Sequence, residues 1–139
     1  MAEHTSTAAG RLQCVVVTPE ATVIDTPADF VALPLFDGEC GILPNRSPLI
    51  GRLGYGELRI SHGNELKRYY VDGGFVQVAD NIVSVLSNRA LPAESLDQTA
   101  AEAQLQAALS KPASGEAELA IRNRLILQAR GIRRVAFKA

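Results

Sequence analysis

The chain changes its residue chemistry once, near Pro92, and that change limits its possible folds more than any other feature. Up to and including Pro92 it holds nine of its eleven glycines, six of its seven prolines and ten of its eleven valines, whereas the 47 residues that follow hold twelve alanines. β-Branched side chains suit a pleated backbone, and alanine suits a helix. The sequence therefore predicts a strand-rich body at 11–92 and a helical segment at 93–139. The polar stretch 1–10 is expected to be a flexible tail.

Within the first part, β-favouring runs alternate with turn signals. Leu12 to Thr18, Thr22 to Ile24, Phe30 to Leu35, Glu57 to Ser61, Leu66 to Val71, Phe75 to Val78 and Ile82 to Ser87 read as strands. Gln77, Ser84 and Ser87 mark the solvent-facing sides of half-buried strands. Many short strands at this spacing argue for a β-sandwich or flattened barrel. A body of about 90 residues can bury roughly 60% of its unfolded surface, enough to fold alone.

The second part reads as two helices and a loop, an antiparallel hairpin. Ser95 and Gln98 have capping-box spacing, with Asp97 in the first turn. The first helix runs to about Leu109, Lys111 to Gly115 breaks it, and Ser114 is the candidate N-cap of the second. Ile121, Leu125, Ala129 and Ile132 share one face of that second helix, and Glu118 has the spacing to support Arg122.

Charge is divided too. Residues 1–92 carry 7 basic and 10 acidic groups, and residues 93–139 carry 7 basic and 5 acidic. From Arg122 onward stand Arg122, Arg124, Arg130, Arg133, Arg134 and Lys138, with no acid among them. Cations at a helix C-terminus answer its dipole, but this run exceeds what capping requires, and an acidic protein partner is the expectation. With 14 basic against 15 acidic side chains and 5% aromatics, a nucleic-acid binder is not expected.

Several chemistries find no support. The longest apolar run is about four residues, as at Cys14 to Val17, far short of the ~20 a membrane helix needs. Residues 1–10 lack the apolar stretch of a secretory signal, so a cytoplasmic chain is expected. Cys14 and Cys40 read as small hydrophobes, and His4 and His62 as solvent-exposed. Gly51-Arg52-Leu53-Gly54-Tyr55-Gly56 invites a phosphate-loop reading, but a strand follows where a helix should, so turn glycines are expected. Asp37 and Glu39 flank Gly38 as solvated loop charges. No nucleophile, base and orienter assemble, so no catalytic residue, cofactor or metal site is expected.

The order of motifs then becomes informative. Thr18-Pro19-Glu20 is followed by Ala28-Asp29-Phe30-Val31, Asp37-Gly38-Glu39-Cys40-Gly41-Ile42-Leu43-Pro44 and Ser47-Pro48-Leu49. Further along come Gly56-Glu57-Leu58-Arg59-Ile60, Tyr70-Val71-Asp72-Gly73-Gly74-Phe75 and Asn81-Ile82-Val83-Ser84-Val85-Leu86. In this register the chain resembles the epsilon subunits of bacterial F-type ATP synthases, closely over about residues 11–110 and by architecture beyond.

The resemblance implies a sandwich of about ten strands and a helix–loop–helix, without a catalytic site. It implies a central-stalk rotor subunit, peripheral at the cytoplasmic face of the plasma membrane and joined to the membrane only through the complex. The sandwich would bind the gamma subunit and touch the polar loops of the c-ring. The hairpin would restrain ATP hydrolysis by extending toward the beta subunits, its basic residues meeting an acidic segment there. Glu39, Gly41, Pro44 and Pro48 match the family's c-ring-facing loop. Asn45-Arg46 stands where Gly-His is common, leaving Arg46 as the candidate for a polar-loop carboxylate. Some relatives bind ATP through a Leu/Ile-Asp-x-x-Arg-Ala motif; Asp97 matches it, but Ala100 replaces the Arg, so no nucleotide is expected.

The residues bear on the switch independently. The first helix offers mainly Ala100, Ala101, Ala103, Ala107 and Ala108 to its neighbours, and burial is worth only about 0.8 kcal/mol per methylene. Helices of about 15 residues are marginal alone, so the hairpin depends on docking. A switching hairpin and a permanent brace both remain open, as does a free-standing nucleotide-sensing module.

Overall fold

The computed structural model describes residues 11–138, with side chains to residue 136; the expected tail at 1–10, with His4, and the side chain of Lys138 lie outside the described residues. Ten strands run as β1 (Leu12–Val17), β2 (Thr22–Ala28), β3 (Phe30–Leu35), β4 (Gly38–Ile42), β5 (Leu49–Arg52), β6 (Tyr55–His62), β7 (Glu65–Asp72), β8 (Phe75–Ala79), β9 (Ile82–Leu86) and β10 (Ala90–Pro92). A 3-10 turn at Ala93–Ser95 leads to α1 (Gln98–Ser110) and α2 (Glu116–Lys138). Among the described residues no helix is long and apolar enough to cross a membrane.

The strands form two five-stranded sheets, A in the order β2-β1-β9-β8-β5 and B in the order β10-β7-β6-β3-β4. The β1–β9 pair is parallel and the other pairs are antiparallel. Period-2 alternation explains the interior: Leu12, Cys14 and Val16 of β1, Val76 and Val78 of β8, and Val83 and Val85 of β9 face Leu58, Ile60 and Val71 of sheet B. Burial, with a smaller contribution from Asp25, pushes the Cys14 thiol up to about 12.

Sheet B is covered on its outer side as well. There Tyr70, fully buried, packs with Ala93, Ala101, Ile132 and Val135 under the hairpin. A third apolar cluster, Leu105, Ala108, Ile126 and Ala129, joins the two helices. Burial, aided by the Asp72 carboxylate, drives the Tyr70 phenol well above its usual range, which keeps it a proton donor.

Several expectations need correction. β4, β5 and β10 did not read as strands, because Gly38, Gly41, Gly51 and Pro92 dilute the β signal that tertiary pairing supplies instead. Glu39 is accordingly on a strand, not in a loop. Ser87 is buried rather than solvent-facing: its Oγ donates to the Arg89 carbonyl and accepts from the Asp72 amide, both at 2.9 Å. His62 is half-buried beside Asp29, at the end of β6.

Gly51 and Gly56 lie on β5 and β6 rather than in a turn, and Gly54 lies in the two-residue connection between them; none of the three has a positive φ. They let the crossing from β5 to β6 lie against β3: added Cβ atoms would meet Leu35 Cδ2 at 3.1 Å, the Leu35 carbonyl oxygen at 3.2 Å and Pro34 Cβ at 3.1 Å. The β8–β9 turn uses Asp80 and Asn81, both with positive φ (52° and 62°), as a two-residue hairpin requires.

The hairpin is also capped differently. Asp97 is the N-cap of α1, its carboxylate accepting from the Thr99 amide at 2.9 Å, while Ser95 Oγ donates to the Pro92 carbonyl. The first intrahelical bond of α2 goes to the Gly115 carbonyl, so Ser114 lies one residue outside the cap position, and its Oγ donates to Glu118. Arg122 bonds the Leu109 carbonyl rather than Glu118. The buried face of α2 runs through Ile126, Ala129, Ile132 and Val135; Ile121 is exposed and Leu125 half-buried. On α1 only Ala101, Leu105 and Ala108 are buried, and Ala100, Ala103 and Ala107 face out.

Three outcomes test this packing. Gly74 has φ +109°, and an added Cβ would lie 1.9 Å from the Leu86 carbonyl oxygen, so Gly74→Ala is expected to destabilise the chain by about 3 kcal/mol or more in urea unfolding. Iodoacetamide at pH 8 is expected to label Cys40, which is half-buried, and to spare Cys14 until the chain unfolds. As pH rises from 9 toward about 12 the exposed Cys14 thiol of the unfolded chain ionises while the buried one does not, so stability falls across that window.

Candidate interaction surfaces

The described residues present three surfaces: the loop from Glu39 to Pro48, the basic helix α2 and the outer face of sheet A. Of the loop residues, Glu39 and Gly41 lie on β4, while Pro44, Arg46 and Pro48 lie in the connection to β5. The structure spreads them along the sandwich, Glu39 beside the β3–β4 turn and the connection 43–48 beside the β8–β9 turn, without clustering their charges. Glu39 is already engaged, accepting from Arg59 Nη1 at 2.9 Å. Arg59 also reaches Glu57 at 3.0 Å, and these two carboxylates, Glu57 first, raise its guanidinium pKa. Gly41 leaves room for the Phe30 ring, 2.9 Å from where a Cβ would stand. Pro44 is half-buried, and Arg46 and Pro48 are exposed.

The connection 43–48 is held by a contact that sequence reasoning missed. The Asn45 amide donates to Asn81 Oδ1 at 2.6 Å, and Asn81 Nδ2 returns a bond to Asn45 Oδ1 at 3.3 Å. Both asparagines have positive φ, a state Asn tolerates better than most residues. The clasp fixes the loop against the β8–β9 turn and leaves Leu43 and Arg46 facing solvent. Its one sequence signal was Asn81 itself, which marked a turn but not a partner.

The five arginines of α2 do not share one face. Arg122 and Arg133 turn toward α1, Arg122 Nη2 bonding the Leu109 carbonyl at 2.9 Å and Arg133 Nη1 bonding Glu102 at 3.0 Å. Gln106 and then Arg133 hold the Glu102 carboxyl below its usual range. Arg124 is exposed on the opposite side of the helix. Arg130 and Arg134, one turn apart and exposed, line a cleft of about 480 Å³ between α2 and the strand ends that carry Glu39 and Glu57. Asp97 is a helix cap and Ala100 is exposed.

The outer face of sheet A was not singled out from sequence at all. Register places Arg52, Phe75 and Leu86 in one row and Ile50, Gln77 and Ser84 in the next. Ile50, Phe75, Leu86 and nearby Phe36 are 75%, 61%, 52% and 58% exposed, and the Arg52 guanidinium lies 4.3 Å from the Phe36 ring centre. The signal was available: in β8 and β9 apolar residues fill both parities, so one set had to face outward. Scattered exposed apolar residues are ordinary, but a contiguous set on one sheet marks a contact site.

Among the described residues, the outer face of sheet B is covered by the chain's own helices and that of sheet A exposes Phe75, Leu86 and Ile50 beside Arg52, Gln77 and Ser84. Residues 11–93 match the family model described as ATP synthase, Delta/Epsilon chain, beta-sandwich domain. The ATP synthase epsilon chain of Rhodopirellula baltica is 50% identical over 120 residues, covering 86% of this chain and 94% of that one. That of Symbiobacterium thermophilum is 39% identical over 119 residues, covering 80% and 86%. The chain belongs to the ATP synthase epsilon-chain family.

Solved structures agree on the fold. A chain in the Euglena gracilis mitochondrial ATP synthase (OSCP/F1/c-ring) superposes with a TM-score of 0.82 at 19% identity, covering 93% of this chain and 83% of that one. A chain in the Tetrahymena thermophila mitochondrial ATP synthase central stalk and c-ring gives 0.67 at 16% identity, covering 94% and 99%.

The clasp yields a clean test. Asn81→Gly keeps the positive φ but removes the side chain that holds Asn45. Hydrogen exchange at residues 43–48 is expected to quicken, with a stability loss of about 1 kcal/mol.

Proposed function

We propose that this chain is a non-catalytic rotor subunit that joins the c-ring to the gamma subunit and the catalytic head of a proton-translocating ATP synthase. It would act from the cytoplasmic face of the plasma membrane, attached through the complex alone. The strands of 11–92 form the docking body and 93–139 the regulatory hairpin. The observation that carries this reading is the bare apolar face of sheet A, set beside family membership. Its exposed Phe75, Leu86 and Ile50 suit a permanent protein partner, and gamma is the partner assigned to it. The clasped loop end, with Arg46 and Pro48 at the surface, is assigned to the polar loops of the c-ring.

The exposed Arg124, Arg130 and Arg134 supply the charge for an acidic segment of the beta subunits when the hairpin leaves the sandwich. Arg122 and Arg133, bonded to α1, are assigned to holding the hairpin together rather than to that contact.

Two measurements test these assignments separately. Phe75→Glu places a charge in the exposed Arg52–Phe75–Leu86 row of sheet A; it is expected to lower co-purification with gamma at least tenfold while leaving the thermal midpoint of the isolated chain nearly unchanged. Undiminished capture of gamma would refute the assigned face. Truncation after Pro92 is expected to raise ATPase activity of the reassembled catalytic head. Arg124→Ala, Arg130→Ala and Arg134→Ala together should reproduce part of the rise, with a smaller difference at high salt. Unchanged activity in the truncated form would remove the restraining role and leave the coupling role standing.

A further inference from the structure

Both buried carboxylates of sheet B lie near the hairpin, and neither depends on it for a countercharge. Asp72, 4% exposed, accepts from Arg89 Nε at 3.1 Å and from the Tyr70 hydroxyl at 3.3 Å, all within the sandwich. Glu57, 8% exposed, is paired with Arg59 and Arg68, again within the sandwich. Among the described residues, the polar links across to the hairpin end on neutral groups of α2. Gln128 Nε2 donates to Asp72 Oδ1 and Oδ2 at 3.0 and 3.1 Å, and Arg68 Nη2 donates to the Val135 carbonyl at 3.0 Å. On the other side, Arg133 is paired with Glu102 of α1, inside the hairpin.

A buried charge left without its partner is costly, and an interface that shares ion pairs resists parting for that reason. Among the described residues no ion pair would be broken. What the sandwich loses is one amide and one carbonyl, both of which water can replace, and what both bodies expose is the apolar cluster of Tyr70, Ala93, Ala101, Ile132 and Val135. The fit between them is nevertheless close. At Gly131 an added Cβ would stand 2.7 Å from the Tyr55 carbonyl oxygen and 3.0 Å from Tyr70 Cε1, so α2 lies directly on the β6 backbone.

We propose that Asp72, Gln128 and Gly131 form a latch that sets how often the hairpin leaves the sandwich. Asp72 is held ready by Arg89 and Tyr70 whether or not α2 is present, Gln128 is the bolt it receives, and Gly131 fixes the depth of seating. These are positioning residues, and the partition of charge between the two bodies is what makes release reversible. The latch rests on the reading of the hairpin as a movable regulatory element.

Hydrogen exchange on the full chain, free of other subunits, tests it. Gln128→Glu turns a carboxylate toward Asp72 and is expected to lower protection of α1 and α2 together by about tenfold or more. Gln128→Ala, which only removes the bolt, should lower it several-fold less. Gly131→Ala should act as Gln128→Glu does, by wedging rather than by charge. In all three, β6 and β7 should keep their protection. Loss of protection in β6 and β7 in step with the helices would show one cooperative unit and overturn the latch. So would equal behaviour of the two Gln128 variants, or helices that exchange as in the parent chain. Because no ATPase is measured, a working latch with no effect of truncation on hydrolysis would refute the restraining role alone.

Discussion

Sheet B has to be covered twice, and much of the molecule follows from that requirement. Its inner face meets sheet A through Leu58, Ile60 and Val71, and its outer face meets α2 through Tyr70. A sheet covered on both sides in a chain this short needs a second layer, and the hairpin supplies it. The price is polar groups at the second interface, Asp72 and Glu57, each of which must be satisfied locally. Among the described residues sheet A carries no such layer, and Phe75, Leu86 and Ile50 on its outer face are exposed.

Most of the architecture was legible because local chemistry and final structure agree. Leu12, Cys14 and Val16 alternate and point inward; Val76 and Val78, with Val83 and Val85, do the same across the β8–β9 turn. The strands that went unread are those whose pairing carries them. β4 and β5 hold glycines whose missing Cβ matters only because Phe30 and Leu35 press against them. No window of sequence contains both partners.

The interaction surfaces were less legible, for a related reason. A run of arginines shows charge but not direction: α2 turns Arg122 and Arg133 onto α1 and leaves Arg124, Arg130 and Arg134 outside. Of Ile121, Leu125, Ala129 and Ile132, the last two lie on the buried face, which Ile126 and Val135 complete, while Ile121 is exposed and Leu125 half-buried. The Asn45–Asn81 clasp joins residues far apart in sequence, and Ser87 has the pattern of a surface hydroxyl although its Oγ accepts from the Asp72 amide. Polar side chains that serve the backbone carry no periodic signature.

The parallel pairing of β1 with β9 bears on how the chain is made. In sheet A the first strand lies between β2, its neighbour in sequence, and β9, which emerges only after seven other strands. A β1–β2 hairpin can form early, yet the other edge of β1 stays unpaired until β9 has left the ribosome. Sheet A therefore closes late, when nearly the whole sandwich has been synthesised. The helices, whose contacts with each other are local, follow onto a surface already complete.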